Sequence, residues 1–337
     1  MGFLKKLLLW VVVIVLILVG IGFVLPEKVH VERSIVIARP ASEVYAVINS
    51  YRRFNEWSPW YALDPTAKYT VSGPVSGVGA KQTWESKNDN VGSGNQEIVA
   101  TEPNKMVKTQ LDFGDMGRPV AVFTIEPIEK DVKLTWSLDA DMGKSPVRRY
   151  FGLFMDSMVG KDYEIGLAKL KTLVESFPNA DITGVSGEEQ ILAAQNILYV
   201  SGSSSTDPEA IAAALGTAYS AIGEVIKANG LNQTGAPLAI TTSYDNSGWK
   251  FDAAIPVDRS DNLSTTDVRA GSTYSGKALV FTHVGAYDKL GDTIMKAYAW
   301  TAVQGYKTKD RLIEEFVSDP GNTPAEQVVT RIKIPVE

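Results

Sequence analysis

From residue 191 onward the sequence states one pattern twice, and this repetition constrains the fold more than any other feature. Each statement has a β-rich run, a helix, a hairpin and a closing Ile-Pro-Val triplet. In the first, a strand over 191–200 leads to a helix that opens within Thr206 to Glu209 and ends at Asn229 and Gly230. In the second, a strand over 278–283 leads to a helix ending at Gln304 and Gly305, then to strands over 311–317 and 327–335. Gly230 and Gly305 lie 75 positions apart, and the triplets at Ile255 and Ile334 lie 79 apart, a difference that hairpin loops absorb. Glycine in that place suits the left-handed cap of a helix C-terminus. A doubled βαββ unit sets two helices against one sheet, with a groove near the pseudo-twofold axis.

Laying one hairpin on the other pairs Leu238 with Leu312, Ile240 with Glu314, Thr242 with Phe316, and Tyr244 and Asp245 with Ser318 and Asp319. Glu314 shares a strand face with Leu312 and Phe316, because side chains two apart point the same way. A carboxylate where its twin is isoleucine predicts a buried acid, and burial either raises its pKa or demands a cation. Glu315 beside it reads as an exposed strand residue. Tyr287 in the turn after the strand, Trp300 on the following helix, and Phe316 complete the candidate site, with core packing as the competing role for Tyr287 and Trp300. Tyr298 fits either side of its helix. His283, at a strand end, is expected to make a structural hydrogen bond.

Residues 7–25 form an unbroken apolar run of 19 residues. At 1.5 Å per residue it spans roughly 28 Å, close to a ~30 Å hydrocarbon core. It exceeds the length of a signal-peptide core and lacks a small-residue cleavage site, so an uncleaved single-pass anchor over 1–27 is expected. Lys5 and Lys6 before the run favour a bacterial N-in orientation, with the body on the extracytoplasmic side. The net charge of −6, with no basic cluster past the first six residues, argues against nucleic acid as a partner. The chain has no cysteine and two histidines, His30 and His283. Thiol chemistry and a multi-histidine metal site are excluded, and no cofactor is expected.

After the anchor, residues 28–177 alternate as strands do and then close on a long helix over 148–176. An alternating strand with Val29, Val31, Ser34 and Val36 meets a helix opening at Pro40, where Glu43 favours the helix dipole. An aromatic corner with Trp57 and Trp60 follows, read as packing. Six short strands come next, over 68–71, 80–86, 95–102, 105–112, 121–126 and 132–138. The closing helix carries Met155, Met158, Val159, Tyr163, Leu167, Leu170 and Val174 at spacings of three and four, which predicts one buried face. Asp139 and Asp141 share a strand face but read as a polar strand end, and His30 as a solvated or packed histidine. Residues 178–188 mix turn formers and read as a linker.

These segments carry two resemblances. HVERSIVIARPASEVYAVINSYRRFNEWSPW together with VGKDYEIGLAKLKTLVE resembles the START-like, polyketide cyclase-like (SRPBCC, Bet v 1-like) superfamily, over about 29–176. That resemblance implies a helix-grip domain with a hydrophobic cavity and implies no particular reaction. The second half, over 189–337, resembles the GyrI-like small-molecule-binding domain, the effector-binding domain of AraC-type and MerR-type multidrug-responsive regulators. It does so through His283 to Tyr287, Trp300, the run Glu314 to Pro320 and the closing Thr330 to Val336. In that family a glutamate at the place of Glu314 lies in an aromatic-lined pocket and faces lipophilic cations. Ala286 replaces a usual proline here and Phe316 a usual tyrosine; relatives that resemble hydrolases of strained cyclopropane-bearing compounds use that tyrosine with the glutamate. The expected fold is therefore α+β: a transmembrane helix, a START-like domain and a duplicated βαββ domain. The expected function is a membrane-anchored binder of small lipophilic molecules, cations among them, rather than an enzyme. The alternative is a hydrolase or cyclase-like enzyme with Glu314 as general base.

Overall fold

The computed structural model describes residues 2–245, 247–260, 265 and 267–337; Met1 of the expected anchor lies outside them. The chain divides into two compact units, Met1–Asp181 and Ile182–Glu337.

The first unit opens with helix α1, Gly2–Val24, long and apolar enough to cross a membrane. Strand β1, Lys28–Ile37, leads to helices α2, Ala41–Ile48, and α3, Phe54–Trp57. Six strands follow: β2 Lys68–Ser72, β3 Lys81–Glu85, β4 Ser93–Glu102, β5 Met106–Asp112, β6 Val120–Ile128 and β7 Asp131–Asp141. They form one antiparallel sheet in the order β1-β7-β6-β5-β4-β3-β2. Sequential hairpins explain that order, and only β1 joins from a distance. Helix α4, Pro146–Glu175, packs along β1 and buries Tyr163, Leu167, Leu170 and Val174.

One expectation for this unit needs correction. Met158, expected on the buried face of α4, is 67% exposed; apart from Arg149, the buried residues of that helix begin at Gly160. Glu43 stands in the first turn of α2, as expected. Its side chain is fully buried and accepts the Ala180 N–H at 2.9 Å, and burial pushes its pKa up to about 7.

Arg149 ties α1 to α4. Its guanidinium donates to Phe23 O at 2.7 Å, Leu25 O at 3.1 Å and Gly143 O at 3.0 Å, and pairs with Glu27. The cation thus satisfies carbonyls at the C-terminal end of α1, where the helix dipole is negative. Arg149→Met should lower the unfolding free energy of this unit by about 3 kcal/mol, since one side of a buried polar cluster is removed. Denaturant unfolding of the full chain checks this, and an unchanged first-unit midpoint would refute it.

The second unit contains β8 Glu188–Leu192, β9 Asn196–Ser204, α5 Pro208–Ala228, β10 Leu238–Asp245 and β11 Gly248–Pro256. Then come β12 Arg269–Ser272, β13 Gly276–Val284, α6 Leu290–Val303, β14 Ile313–Phe316 and β15 Val329–Pro335. Asp207 caps α5 by accepting from Glu209 N and Ala210 N, and Gly230 and Gly305 end the two helices at φ +61° and +77°. The sheet order β12-β9-β11-β10-β14-β15-β13-β8 reads the same from either end once the copies are exchanged, so the pseudo-twofold axis passes between β10 and β14.

The expected strand over 191–200 is two strands. β8 pairs with β13 of the other copy, and β12, which precedes β13, pairs with β9. Between them Gln195 and Thr273 exchange hydrogen bonds: Gln195 N donates to Thr273 Oγ1 and Thr273 N to Gln195 O, both at 3.0 Å. Each copy is therefore ββαββ, with its leading strand given to its neighbour.

Candidate functional site

The hairpin register is the first thing the structure changes about Glu314. In copy one, Leu238 pairs with Ala254 and Gln233 bridges Val257; in copy two, Ile313 pairs with Lys333 and Thr308 bridges Val336. Thr241 N donates to Leu312 O, and Phe316 N donates to Pro237 O in the mirrored bond. All of these relate the second strands by 75 positions, as the helix-end glycines do. The twin of Glu314 is thus Ala239, not Ile240, and Phe316 answers to Thr241. Ala239 is itself fully buried, so the inference of an apolar environment holds on a different residue.

Ala239 also stands directly opposite Glu314 across the β10–β14 ladder, and Ile332 stands opposite on β15. Neither neighbour's side chain offers a hydrogen bond or a counter-charge. Glu314 is 7% exposed, and burial alone pushes its pKa up to about 7. Its charge is felt at two tyrosines, one from each helix. Burial raises the pKa of Tyr219 on α5 and Tyr298 on α6, and Glu314 pushes both further. Tyr219 Oη donates to Leu238 O at 3.0 Å, which fixes its ring over the axis strands. Phe316, on the same face as Glu314, meets Tyr287 edge-on at 5.7 Å.

Glu315 is the instructive contrast. Expected to be exposed, its side chain is only 13% exposed and lies 3.1 Å from Lys333 Nζ and 3.4 Å from Arg331 Nη1. Adjacent strand positions face opposite sides of a sheet. One carboxylate is neutralised by two cations on its face, and the other has no counter-charge among the described residues.

The remaining candidates fall in different places. Tyr287 begins the short turn before α6 and is 39% exposed. Trp300 packs edge-on against Phe281 at 5.5 Å and stacks with Tyr306. His283 is buried, 2.8 Å from Thr293 Oγ1 and 3.2 Å from Ala286 O, a structural bridge between β13 and the start of α6. Tyr219 was missed by sequence reasoning. It is the one aromatic side chain in α5, in a helix otherwise rich in alanine and glycine, and that was the available signal.

The first unit holds a cavity of about 350 Å³ between sheet and α4. Its walls include Trp60, Trp84, Phe113, Met155 and Tyr163. Gln82 and Gln96 supply a buried amide pair, Gln96 Nε2 donating to Gln82 Oε1 at 2.8 Å. Trp60 Nε1 donates to Asp162 Oδ2 at 3.1 Å, while burial holds that carboxyl above its ordinary range. Tyr69 Oη is buried with no partner among the described residues. Trp57 is core, as expected, touching Phe54, Phe123 and Trp136 by their edges. His30 Nδ1 lies 2.8 Å from Asp139 on the exposed strand end, and Asp141 accepts from Gly143 N, so the two aspartates form no pair.

Residues 28–175 match the family described as polyketide cyclase/dehydrase and lipid transport, and residues 189–337 match the GyrI-like small molecule binding domain. The chain thus joins a polyketide-cyclase-like unit to a GyrI-like unit. Both descriptions support a ligand-binding role. No curated protein is similar enough to this chain to count as a match. Among solved structures it is similar to EcmrR in an EcmrR–DNA complex, at 15% identity and a TM-score of 0.42, over 57% of this chain and 70% of that one. The EcmrR C-terminal domain follows at 17% and 0.40, over 46% and 98%. A hydrolase from Listeria innocua stands at 18% and 0.35, over 45% and 92%. These likenesses are too loose to bear on function.

Proposed function

We propose that this protein is a membrane-anchored binding protein for small lipophilic molecules, lipophilic cations among them. α1 holds it in the bilayer, with both units on the extracytoplasmic side. The GyrI-like unit takes ligand at Glu314, between Tyr219, Tyr298, Tyr287 and Phe316, with Trp300 stiffening α6 behind them. The cavity of the polyketide-cyclase-like unit accepts a second apolar ligand. The observation that carries this reading is a buried carboxylate that no cation among the described residues compensates, set among aromatic rings. A delocalised cation supplies the missing charge and prefers π faces over water. A small hydrated ion does not, because it would have to shed its water.

Tetraphenylphosphonium binding, followed by tryptophan fluorescence of the full chain at pH 8, tests the proposal. Glu314→Gln should weaken binding by about 30-fold, the equivalent of ~2 kcal/mol for one desolvated charge contact. Equal affinity in both proteins removes Glu314 from the site. A second reading, a hydrolase or cyclase-like enzyme with Glu314 as general base, draws on the same shift, since a base works best with a pKa near ambient pH. It requires catalytic turnover of a reactive lipophilic ester that Glu314→Gln abolishes while ester binding survives.

A further inference from the structure

The first unit repeats, on a helix, the feature that marks Glu314 on a strand. Met155, Val159, Asp162 and Tyr163 of α4 all line the cavity, and spacings of four, three and one put them on one helical face. Three of the four suit an apolar wall; the fourth is a carboxylate. Asp162 Oδ2 accepts from Trp60 Nε1 at 3.1 Å, and its other oxygen has no partner among the described residues. No arginine or lysine among them forms an ion pair with it, and burial holds the carboxyl above its ordinary range. The two other charged side chains on the cavity wall are already engaged. Arg118 is 72% exposed and pairs with Asp112 at 2.7 Å, and Asp141 is exposed and accepts from Gly143 N.

The sheet side of the cavity adds polar atoms that hydrocarbon cannot satisfy. Tyr69 Oη is buried with no partner among the described residues, and Gln82 and Gln96 bring two buried amides to the same space. A wholly apolar ligand would leave the Asp162 and Tyr69 oxygens dry and unpaired, which is costly. The sign of the polar group they call for follows from Asp162 and from the rings around it. Trp60, Trp84, Phe113 and Tyr163 present aromatic surface, whose faces attract cations and repel anions.

We propose that the cavity of the first unit binds amphiphilic amines, with the protonated amino group at Asp162 and the aryl or alkyl body among Trp60, Trp84, Phe113 and Met155. The inference rests on the reading of this cavity as a ligand site and specifies its ligand. A compact ammonium suits the place better than a bulky delocalised cation, because it can donate to the carboxylate. The volume of about 350 Å³ is at the small end for ligand pockets and fits an arylalkylamine. Both units then select lipophilic cations, each through one uncompensated carboxylate among aromatic rings.

Three probes with one skeleton and different head groups test this: 4-phenylbutylamine, 4-phenylbutanol and 4-phenylbutanoate. Each is titrated calorimetrically at pH 8 into the full-length Glu314→Gln protein in a non-ionic detergent, with empty micelles as the blank. Glu314→Gln takes the carboxylate of the second unit out of the comparison. The amine should bind about 10-fold more tightly than the alcohol, the size of one hydrogen bond to a charged group, and the carboxylate more weakly than either. Adding Asp162→Asn, which keeps an acceptor for Trp60 Nε1, should cost the amine that factor and leave the alcohol unchanged. An alcohol bound as tightly as the amine leaves the cavity an apolar site and overturns the inference. A preference for the amine that survives Asp162→Asn overturns it too, as does an equal loss of both probes, which makes Asp162 a structural residue. Binding of none of the three removes the cavity as a ligand site together with the inference, while the tetraphenylphosphonium result at Glu314 stands apart from all of these.

Discussion

Glu314→Gln should make the GyrI-like unit more stable than the native chain at pH 8 and leave it unchanged at pH 4. The folded protein holds a proton on Glu314 up to about pH 7, whereas the unfolded chain releases it near the ordinary value of 4.5. A raised carboxyl pKa contributes stability that is fully present below 4.5 and is lost as pH rises through about 7. Above pH 7 the native chain must bury an ion, and the gap between 4.5 and about 7 corresponds to about 3 kcal/mol. Glutamine carries no such penalty at any pH. Amide exchange of β10, β14 and β15 in the full chain reads this locally. The difference between the two proteins should grow from nothing at pH 4 to its plateau near pH 8. A flat difference would mean that Glu314 is already compensated in the native protein. If the proposed function holds, the same substitution should weaken ligand binding, and the carboxylate would be a residue kept for function at a cost in stability.

Trp136→Ala should cost the first unit about 3–5 kcal/mol, the range for truncating a buried aromatic side chain. Trp136 stacks on Tyr163 at 3.8 Å and on Phe123 at 4.8 Å, and Trp57 and Trp60 meet it edge-on at 5.6 and 5.9 Å. α4 also approaches closely here, since a Cβ on Gly166 would lie 2.8 Å from the Trp136 ring. The ring therefore sets the distance between helix and sheet, and with it the cavity wall formed by Trp60 and Tyr163. Urea unfolding followed by amide exchange should show a lower first-unit midpoint with the second unit's exchange unchanged. A loss below about 1 kcal/mol would show that the neighbouring rings collapse into the space.

Periodicity and turn chemistry made most of the architecture legible. The six middle strands of the first unit, α4, both helix-end glycines and the duplication are all where alternation, three–four spacing and left-handed caps put them. The errors share a cause: the sequence shows which residues are apolar but not which partner covers them. Met158 continues the spacing of its buried neighbours yet is 67% exposed, although Gly152 and Gly160 on either side of it approach β1. The run 191–200 reads as one continuous strand, but its first half pairs across the pseudo-twofold axis, a long-range choice without a local signature. The hairpin alignment slipped by one because both Ile240 and Ala239 are apolar, and only ladder hydrogen bonds separate the two registers. Glu314 was visible as an acid in a greasy place. Tyr219 was not, since it comes to Glu314 from the other copy's helix, and Glu315 looked solvated because its two cations lie on a neighbouring strand.

The exchange of β8 and β12 bears on how such a unit arises. Each half finishes its outer edge with a strand that belongs, by chain order, to the other half. A single ββαββ half would leave one edge open and carry a loose leading strand, and two separate halves would complete each other by trading those strands, as in domain-swapped dimers. The GyrI-like unit is in this sense a dimer written into one polypeptide. Fusion frees the two halves to diverge at their shared axis, where one now carries Ala239 and the other Glu314; a true homodimer would have to place two carboxylates, or none, at that point.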